Sequence, residues 1–497
     1  MIRSLGYEFP IWRDERLLLQ VAALVVAVGV GVIIATQPLT TSILLLGVLS
    51  LVGLSFITPL LPIIALLIIA PLRTLVATET SINLPLDPGQ LMVVFVAGTW
   101  AIWHIAIQRN TLRFVWSPLL LPIGLFVVAT GASILNAVSI GTWLTEWLKW
   151  VLILLTVMFI LILSVKSRWE WLVFGLVCAG VVNALVGIYI FLGGSGATHL
   201  LINNRFFRAF GTFGQPNPFG GFMGILAPIA IMMGVGYAQI IFANWWQNKR
   251  SDLVNVIWMG FYAAAACLLI IGVFVSWSRG AWLGFGMSAL VLIVALPRRP
   301  VVALGTFAVA VVIGGIIWTS GLLPQSITAR LSSATEEAFV LTDVRAVDIT
   351  SVNFAIVERL AHWQAAYNMA ESNFWLGVGF GNYEVAYAQY QLINWDEPLG
   401  HAHNYYLNIF GEAGLIGLSA YILLLVGILW FAWRASHHPD PLAHALSVGI
   451  IGSWVYLMAH SLTDNLYVNN MFLHLGVMLG IIAVLHNETR AVKVTQI

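Results

Sequence analysis

Apolar residues in this chain come in long unbroken runs, not in the alternation of a half-buried strand or the one-sided stripe of a surface helix. The runs fall at about 17–36, 40–57, 60–76, 90–107, 118–137, 146–165, 171–193, 218–243, 255–277, 280–296, 301–320, 404–433, 443–461 and 468–486. Most approach the roughly 20 residues that a helix needs to cross a bilayer, and a helix apolar all round has no face to offer water. Pro62 and Pro71 interrupt the run at 60–76, so the pattern predicts about 12 to 14 spans. The expected fold is all-α, a polytopic transmembrane helical bundle with one large helical loop outside the membrane. Its parts are helices with short loops over 1–320, a cap loop over 321–402 and C-terminal helices over 403–497. Within the cap, 353–371 reads as a helix carrying Arg359 and Trp363, glycines 377, 379 and 381 punctuate a turn, and 382–393 suits a second short helix.

Composition agrees. Of 497 residues 60% are apolar and 9% charged, whereas soluble domains carry about 25% charged residues. A water-soluble globule is excluded. A net charge of +1 supplies no basic field for nucleic acid. Cys178 and Cys267 both lie inside apolar runs, which excludes a disulfide framework and a thiolate metal site. The arginines and lysines at 3, 13, 16, 109, 113, 166, 168, 249, 250, 298, 299, 434, 490 and 493 all fall on one side of a chain crossing about 14 times, which the positive-inside rule makes the cytoplasm, with both termini there. The cap then faces outward, and it holds nine of the 21 acidic residues against three arginines.

The informative cations oppose that bias. Arg73, Lys149, Arg205, Arg208 and Arg279 sit at the outer side, where snorkelling to headgroups or pairing with the acidic cap accounts for Arg73, Lys149 and Arg205. Arg208 stands in a glycine- and proline-rich turn, Arg208-Ala-Phe-Gly211-Thr-Phe-Gly214-Gln-Pro216-Asn217-Pro218, and Arg279 in Ser278-Arg279-Gly280-Ala281. Two guanidiniums at one face suit a phosphate or diphosphate, because arginine keeps its charge and donates in a fork.

The cap re-enters the membrane through His401-Ala-His403-Asn404-Tyr405-Tyr406-Leu407, followed by Glu412. His403 and Glu412 are nine residues apart, about 2.5 helical turns, which would set them on opposite faces of one regular helix. His403 is therefore expected on the loop, with Asn404 as N-cap and Glu412 roughly 12 Å deeper. An ionised carboxylate there needs a partner. His-x-His without a third ligand is a weak metal signal. Gly411, Gly414 and Gly417 read as close helix packing, and the run His460-Ser461-Leu-Thr-Asp464-Asn465 gathers polar groups at the same face, which a hydrogen-bonded turn explains equally well.

These blocks, in this order, resemble the O-antigen ligase and polymerase superfamily of bacterial envelope glycosyltransferases. The resemblance covers roughly residues 200–420; Gln215 stands where the family often has Asn. It implies transfer of a glycan from undecaprenyl diphosphate to a second acceptor at the outer face of the inner membrane, with no cofactor and no metal. The partners it implies are that donor, a lipid, glycan or protein acceptor, and the bilayer. The family's two essential arginines fall on Arg208 and Arg279 and its histidine on His403, which would act as base, oriented by a carboxylate such as Glu412. Arg205, Asn217, Arg359, His401 and Asn404 are the expected substrate-binding residues. A repeat-unit polymerase, a protein O-oligosaccharyltransferase and a solute or inorganic-carbon transporter are the alternatives. Against transport, ionisable groups cluster at span ends, with Glu412 and His104 the exceptions.

Overall fold

The computed structural model describes residues 60–72, 88–102, 115–163, 169–194, 198–202, 205–247, 252–297, 299–321, 344–350 and 353–495, together with a few isolated positions. Arg73, His104 and nearly all of the runs at 17–36 and 40–57 lie outside them. Among the described residues are fourteen α-helices: α1 (Leu60–Ile69), α2 (Pro88–Ile102), α3 (Leu120–Ala132), α4 (Ile140–Ile162), α5 (Trp169–Phe191), α6 (Pro216–Trp246), α7 (Leu253–Val275), α8 (Arg279–Ala295), α9 (Pro300–Thr319), α10 (Phe354–Ser372), α11 (Tyr383–Tyr390), α12 (Tyr405–Ala435), α13 (Pro441–His460) and α14 (Met471–Thr495). Eight of these are long and apolar enough to cross a membrane, and four shorter apolar helices accompany them. The protein is thus all-α, and these twelve segments coincide with twelve of the expected runs. A two-stranded antiparallel hairpin, β1 (Leu201–Ile202) with β2 (Phe206–Phe207), was not legible in the hydrophobic pattern.

The chain divides into two compact units, residues 1–62 with 95–110 and residues 63–94 with 111–497. The site belongs to the second. At its centre α6 packs against α7 and α13, α13 against α8, and α14 against α4. Of the apolar segment of α14, 89% is buried, against 6% for α9, so α14 is core and α9 offers its surface to lipid. Lipid tails are as apolar as leucine, so such helices associate through close packing of small residues. A Cβ at Gly224 of α6 would lie 2.0 Å from the Tyr456 ring, and one at Gly449 of α13 would lie 3.0 Å from the Pro228 carbonyl oxygen.

Helix starts follow local chemistry. Pro216 and Pro218 open α6 where the missing N–H has no acceptor to lose. Side-chain oxygens of Ser139, Asp252, Ser278 and Asp440 cap α4, α7, α8 and α13.

One expectation needs correction. The run from 404 is not one regular span, because Gly414 has φ 63° and ψ −165° and breaks α12. The break strands the carbonyls of the preceding turn. The connection from α10 repairs it: Val378 N–H donates to Gly411 O (3.0 Å), Gly379 N–H to Glu412 O (2.9 Å), and Leu415 N–H to Phe374 O (2.8 Å). The glycine spacing at 411 and 414 therefore serves backbone crossing more than helix packing; a Cβ on Gly414 would lie 2.3 Å from the Trp375 carbonyl carbon.

Candidate active site

The turn that carries Arg208 is pinned from both sides. Arg208 N–H donates to Leu200 O (2.8 Å) just before the hairpin, and Ala209 N–H to Val275 O (2.9 Å) at the end of α7. Thr212 then buries its hydroxyl against Asn183 Oδ1 (2.6 Å) and Pro71 O (3.0 Å), satisfying a polar group inside an apolar bundle. Asn183, a polar residue in the middle of α5, is the anchor of this motif.

The guanidinium of Arg208 is held by neutral acceptors. Its Nε donates to Ser276 O (3.2 Å) and its Nη2 to Asn217 Oδ1 (3.3 Å). Asn217 thus positions Arg208, and Ser276 lies three residues before Arg279. Ser276 Oγ donates to Val273 O (2.6 Å) and accepts from Ser278 N–H (3.2 Å), while Trp277 takes φ 54°. This tight turn ends α7 and starts α8 with Arg279 in its first turn. Burial brings the Arg208 pKa down to about 10, and the positive charges of Arg359 and Arg279 push the same way. Arg208 remains a cation at neutral pH, and the three arginines share one field. Arg205 stands apart on the exposed hairpin turn with its guanidinium 5.0 Å from the Phe206 ring centre, and Lys149 pairs with Glu146 on its own helix.

The histidines come together at the same end. Asn404 accepts from Tyr406 N–H (3.1 Å) and Leu407 N–H (3.2 Å), the expected N-cap, and His403 precedes it on the loop with φ 52°. His403 N–H donates to His401 Nδ1 (3.0 Å), so in neutral His401 the proton sits on Nε2. That nitrogen is 3.3 Å from Asp464 Oδ1, to which it donates. The two rings lie 4.4 Å apart. From the cap, His362 on α10 stands 6.0 Å from the His403 ring and bonds Tyr383 Oη (2.9 Å). Burial lowers the pKa of His401 and of His403, with His401 further lowering His403 while Asp464 opposes the shift in both. His362 falls to about 4 through burial and then His401. Asp464 is itself buried, yet the histidine charges outweigh desolvation and hold its pKa below the usual carboxylate value.

Two expectations about carboxylates change here. Glu412 is buried, but its Oε1 accepts from Tyr383 N–H (2.9 Å), so it secures the turn before α11 and leaves the orientation of His403 to others. The carboxylate facing the histidine pair is Asp464, in the polar turn whose sequence suits a cluster at this face and a hydrogen-bonded turn equally. It arrives because Tyr405 N–H donates to Ser461 O (2.8 Å), joining the start of α12 to the end of α13. His401, His403 and Asp464 offer ligand atoms within 4.8 Å of one another, so a third donor for a cation is present after all.

The arginine and histidine groups meet through the α13 terminus. Tyr456 Oη donates to Gly220 O (2.8 Å) and bonds His460 Nδ1 (3.1 Å), and Gly280, beside Arg279, fits against His460 and Thr463. Arg359 acts electrostatically on Arg208, His401, His403 and His460 alike. With Ile356, Leu360, Trp363 and Thr463 it lines a small cavity of about 10 Å³, room for roughly one water.

No curated protein matches the chain. Residues 263–422, from the middle of α7 to the middle of α12, a stretch that holds Arg279, Arg359, His401 and His403, match the family model described as O-Antigen ligase.

Proposed function

We propose that this protein moves a glycan from undecaprenyl diphosphate to an acceptor hydroxyl at the outer face of the cytoplasmic membrane, in one displacement with inversion at the sugar. The observation that carries the reading is the position of Arg359, which acts on Arg208 and on both His401 and His403. An anion-binding group and a base then sit at the two ends of one reaction centre.

In the step proposed, the acceptor oxygen forms a bond to the anomeric carbon as the bond from that carbon to the diphosphate oxygen breaks. The electron pair leaves with the lipid diphosphate, where Arg208, Arg279 and Arg359 offset the growing negative charge. The acceptor proton passes to the imidazole of His403, kept neutral by burial. Asp464 faces the ring pair and favours the resulting imidazolium.

The same geometry supports a metal-free reaction. With His401 Nδ1 accepting from a backbone N–H, its Nε2 carries the proton and has no lone pair for a cation until the loop rearranges. EDTA is therefore expected to leave transfer unchanged, and a loss restored by a divalent metal would refute this part of the reading.

The test is transfer from a purified undecaprenyl-diphosphate-linked glycan to candidate acceptors, with the full-length protein in detergent. Wild type is expected to turn over and His403→Ala to fall by about 10²–10⁴-fold, the usual contribution of a general base. A product of one glycan on a new acceptor identifies a ligase, and a ladder of repeat units a polymerase. Wild-type activity in His403→Ala would overturn the assignment.

A further inference from the structure

A second constellation lies at the other end of α5, α6 and α7. Glu170 and Trp171 open α5, Trp258 and Tyr262 stand one turn apart near the start of α7, and Tyr237 is near the end of α6. At 1.5 Å per residue these positions are about 20–32 Å along their helices from the ends nearer Arg208 and Arg279. The five side chains line a cavity of about 250 Å³.

Its walls are aromatic faces held at fixed angles. Trp171 and Trp258 meet at 85° with ring centres 6.2 Å apart, Trp258 and Tyr262 lie at 31° and 6.0 Å, and Tyr237 and Tyr262 stack at 15° and 5.9 Å. Tyr237 and Tyr262 are buried, which fixes the inner wall, while Trp171 is 49% exposed at the mouth. Glu170 supplies a carboxylate, and its Oε2 is buried without a hydrogen-bond partner among the described residues. Asp440, the N-cap of α13, adds a second negative charge that acts on both Glu170 and Tyr237.

An anion is repelled by this wall. The faces of aromatic rings carry the negative side of the ring quadrupole, and a carboxylate among them selects a cation, above all a weakly hydrated organic ammonium. We propose that this cavity binds an ammonium group, presented either by the headgroup of an aminophospholipid or by a free organic cation. The proposal does not depend on the transferase reading.

The test uses the full-length protein in detergent, with choline and tetramethylammonium as probes and calorimetry as readout. Both cations are expected to bind, and the uncharged carbon isostere of choline to bind at least about tenfold more weakly. Glu170→Gln and Trp258→Ala should each weaken choline binding by about tenfold or more, while Trp258→Phe, which keeps a ring, should stay within about threefold. A melting temperature for Glu170→Gln close to wild type shows that the loss is local. Native mass spectrometry separates the sources: phosphatidylethanolamine retained by wild type, displaced by choline and lost in Glu170→Gln supports the headgroup, and choline binding without such an adduct supports the free cation. Equal affinity for choline and its isostere, or undiminished choline binding in both Glu170→Gln and Trp258→Ala, would overturn the proposal.

Discussion

At the scale of the residue, burial and the neighbouring His401 keep the imidazole of His403 neutral, with a pKa below the ordinary 6.5, so in the proposed reaction it is free to take a proton though it is a weaker base than an exposed histidine. The acidic limb of kcat/KM should then lie below pH 6.5, since activity is lost only where the free imidazole becomes protonated. Asp464 opposes that shift by favouring the cation. Asp464→Asn removes the opposition, so the limb should move to still lower pH while kcat falls by about tenfold, because the imidazolium formed in the reaction loses its counter-charge. A limb that stays in place or moves up, in a pH–rate profile of the purified variant, would show that Asp464 acts elsewhere. Arg279→Ala should lower kcat/KM by about 10²–10³-fold, the scale of a lost charge-stabilising donor. Arg208, Arg279 and His403 stand out in the sequence because each is a cation or a titratable group in the connections that the other cations avoid, and the Arg279 and His403 variants above test whether these act in transfer. Asp464 does not, since a carboxylate in a polar turn breaks no rule. Only the contact between the start of α12 and the end of α13 aims it at His401. The sequence offers Glu412 only as a carboxylate that could orient His403 where the helix geometry allows, and in the fold its Oε1 accepts from the chain that folds back from α10.

At the scale of the element, the broken α12 decides where the histidine loop sits. Apolar patterning locates a helix but carries no signal for a reversal of φ within it, so the run at 404–433 could be found and its break could not. Gly414 occupies a positive φ that side-chain-bearing residues rarely adopt, and a Cβ there would meet the Trp375 backbone. Backbone strain of this kind costs about 1–3 kcal/mol, and here the collision with main-chain atoms adds to it. Gly414→Ala should therefore lower the melting temperature in detergent well beyond Gly286→Ala, whose Cβ would have nothing within 4 Å and which replaces glycine in a helix by a residue about 1 kcal/mol more favourable. Equal melting temperatures for the two would mean that the crossing of 374–383 over α12 is not a stability determinant. The capped starts of α8 and α12 fare better in the sequence: Ser278 and Asn404 both precede the helix they cap, and cap chemistry is local enough to be read without tertiary structure.

At the scale of the whole molecule, hydropathy gives the class of fold and charge gives a direction through the membrane, and the two can be tested together. The connections that gather lysines and arginines alternate with those that carry Arg208, Arg279, Arg359 and the histidines. A helix crossing antiparallel to its neighbour through a short loop must alternate in this way. Gln247, at the C-terminal end of α6, and Ser372, at the end of α10, are both exposed and belong to opposite ends of that alternation. In a background without Cys178 and Cys267, Ser372→Cys should react with a membrane-impermeant thiol reagent in intact cells with the outer barrier opened. Gln247→Cys should react only after the inner membrane is breached. The reverse pattern would put the histidine site in the cytoplasm, where a base would meet a different pool of acceptors, and labelling of both from one side would contradict the span count between them. The expected pattern leaves the arginine cluster on the face that the positive-inside rule makes costly for cations. Negative charge held by the cluster would offset that cost, and the lipid-linked diphosphate proposed as donor would supply it where Arg208, Arg279 and Arg359 share one field.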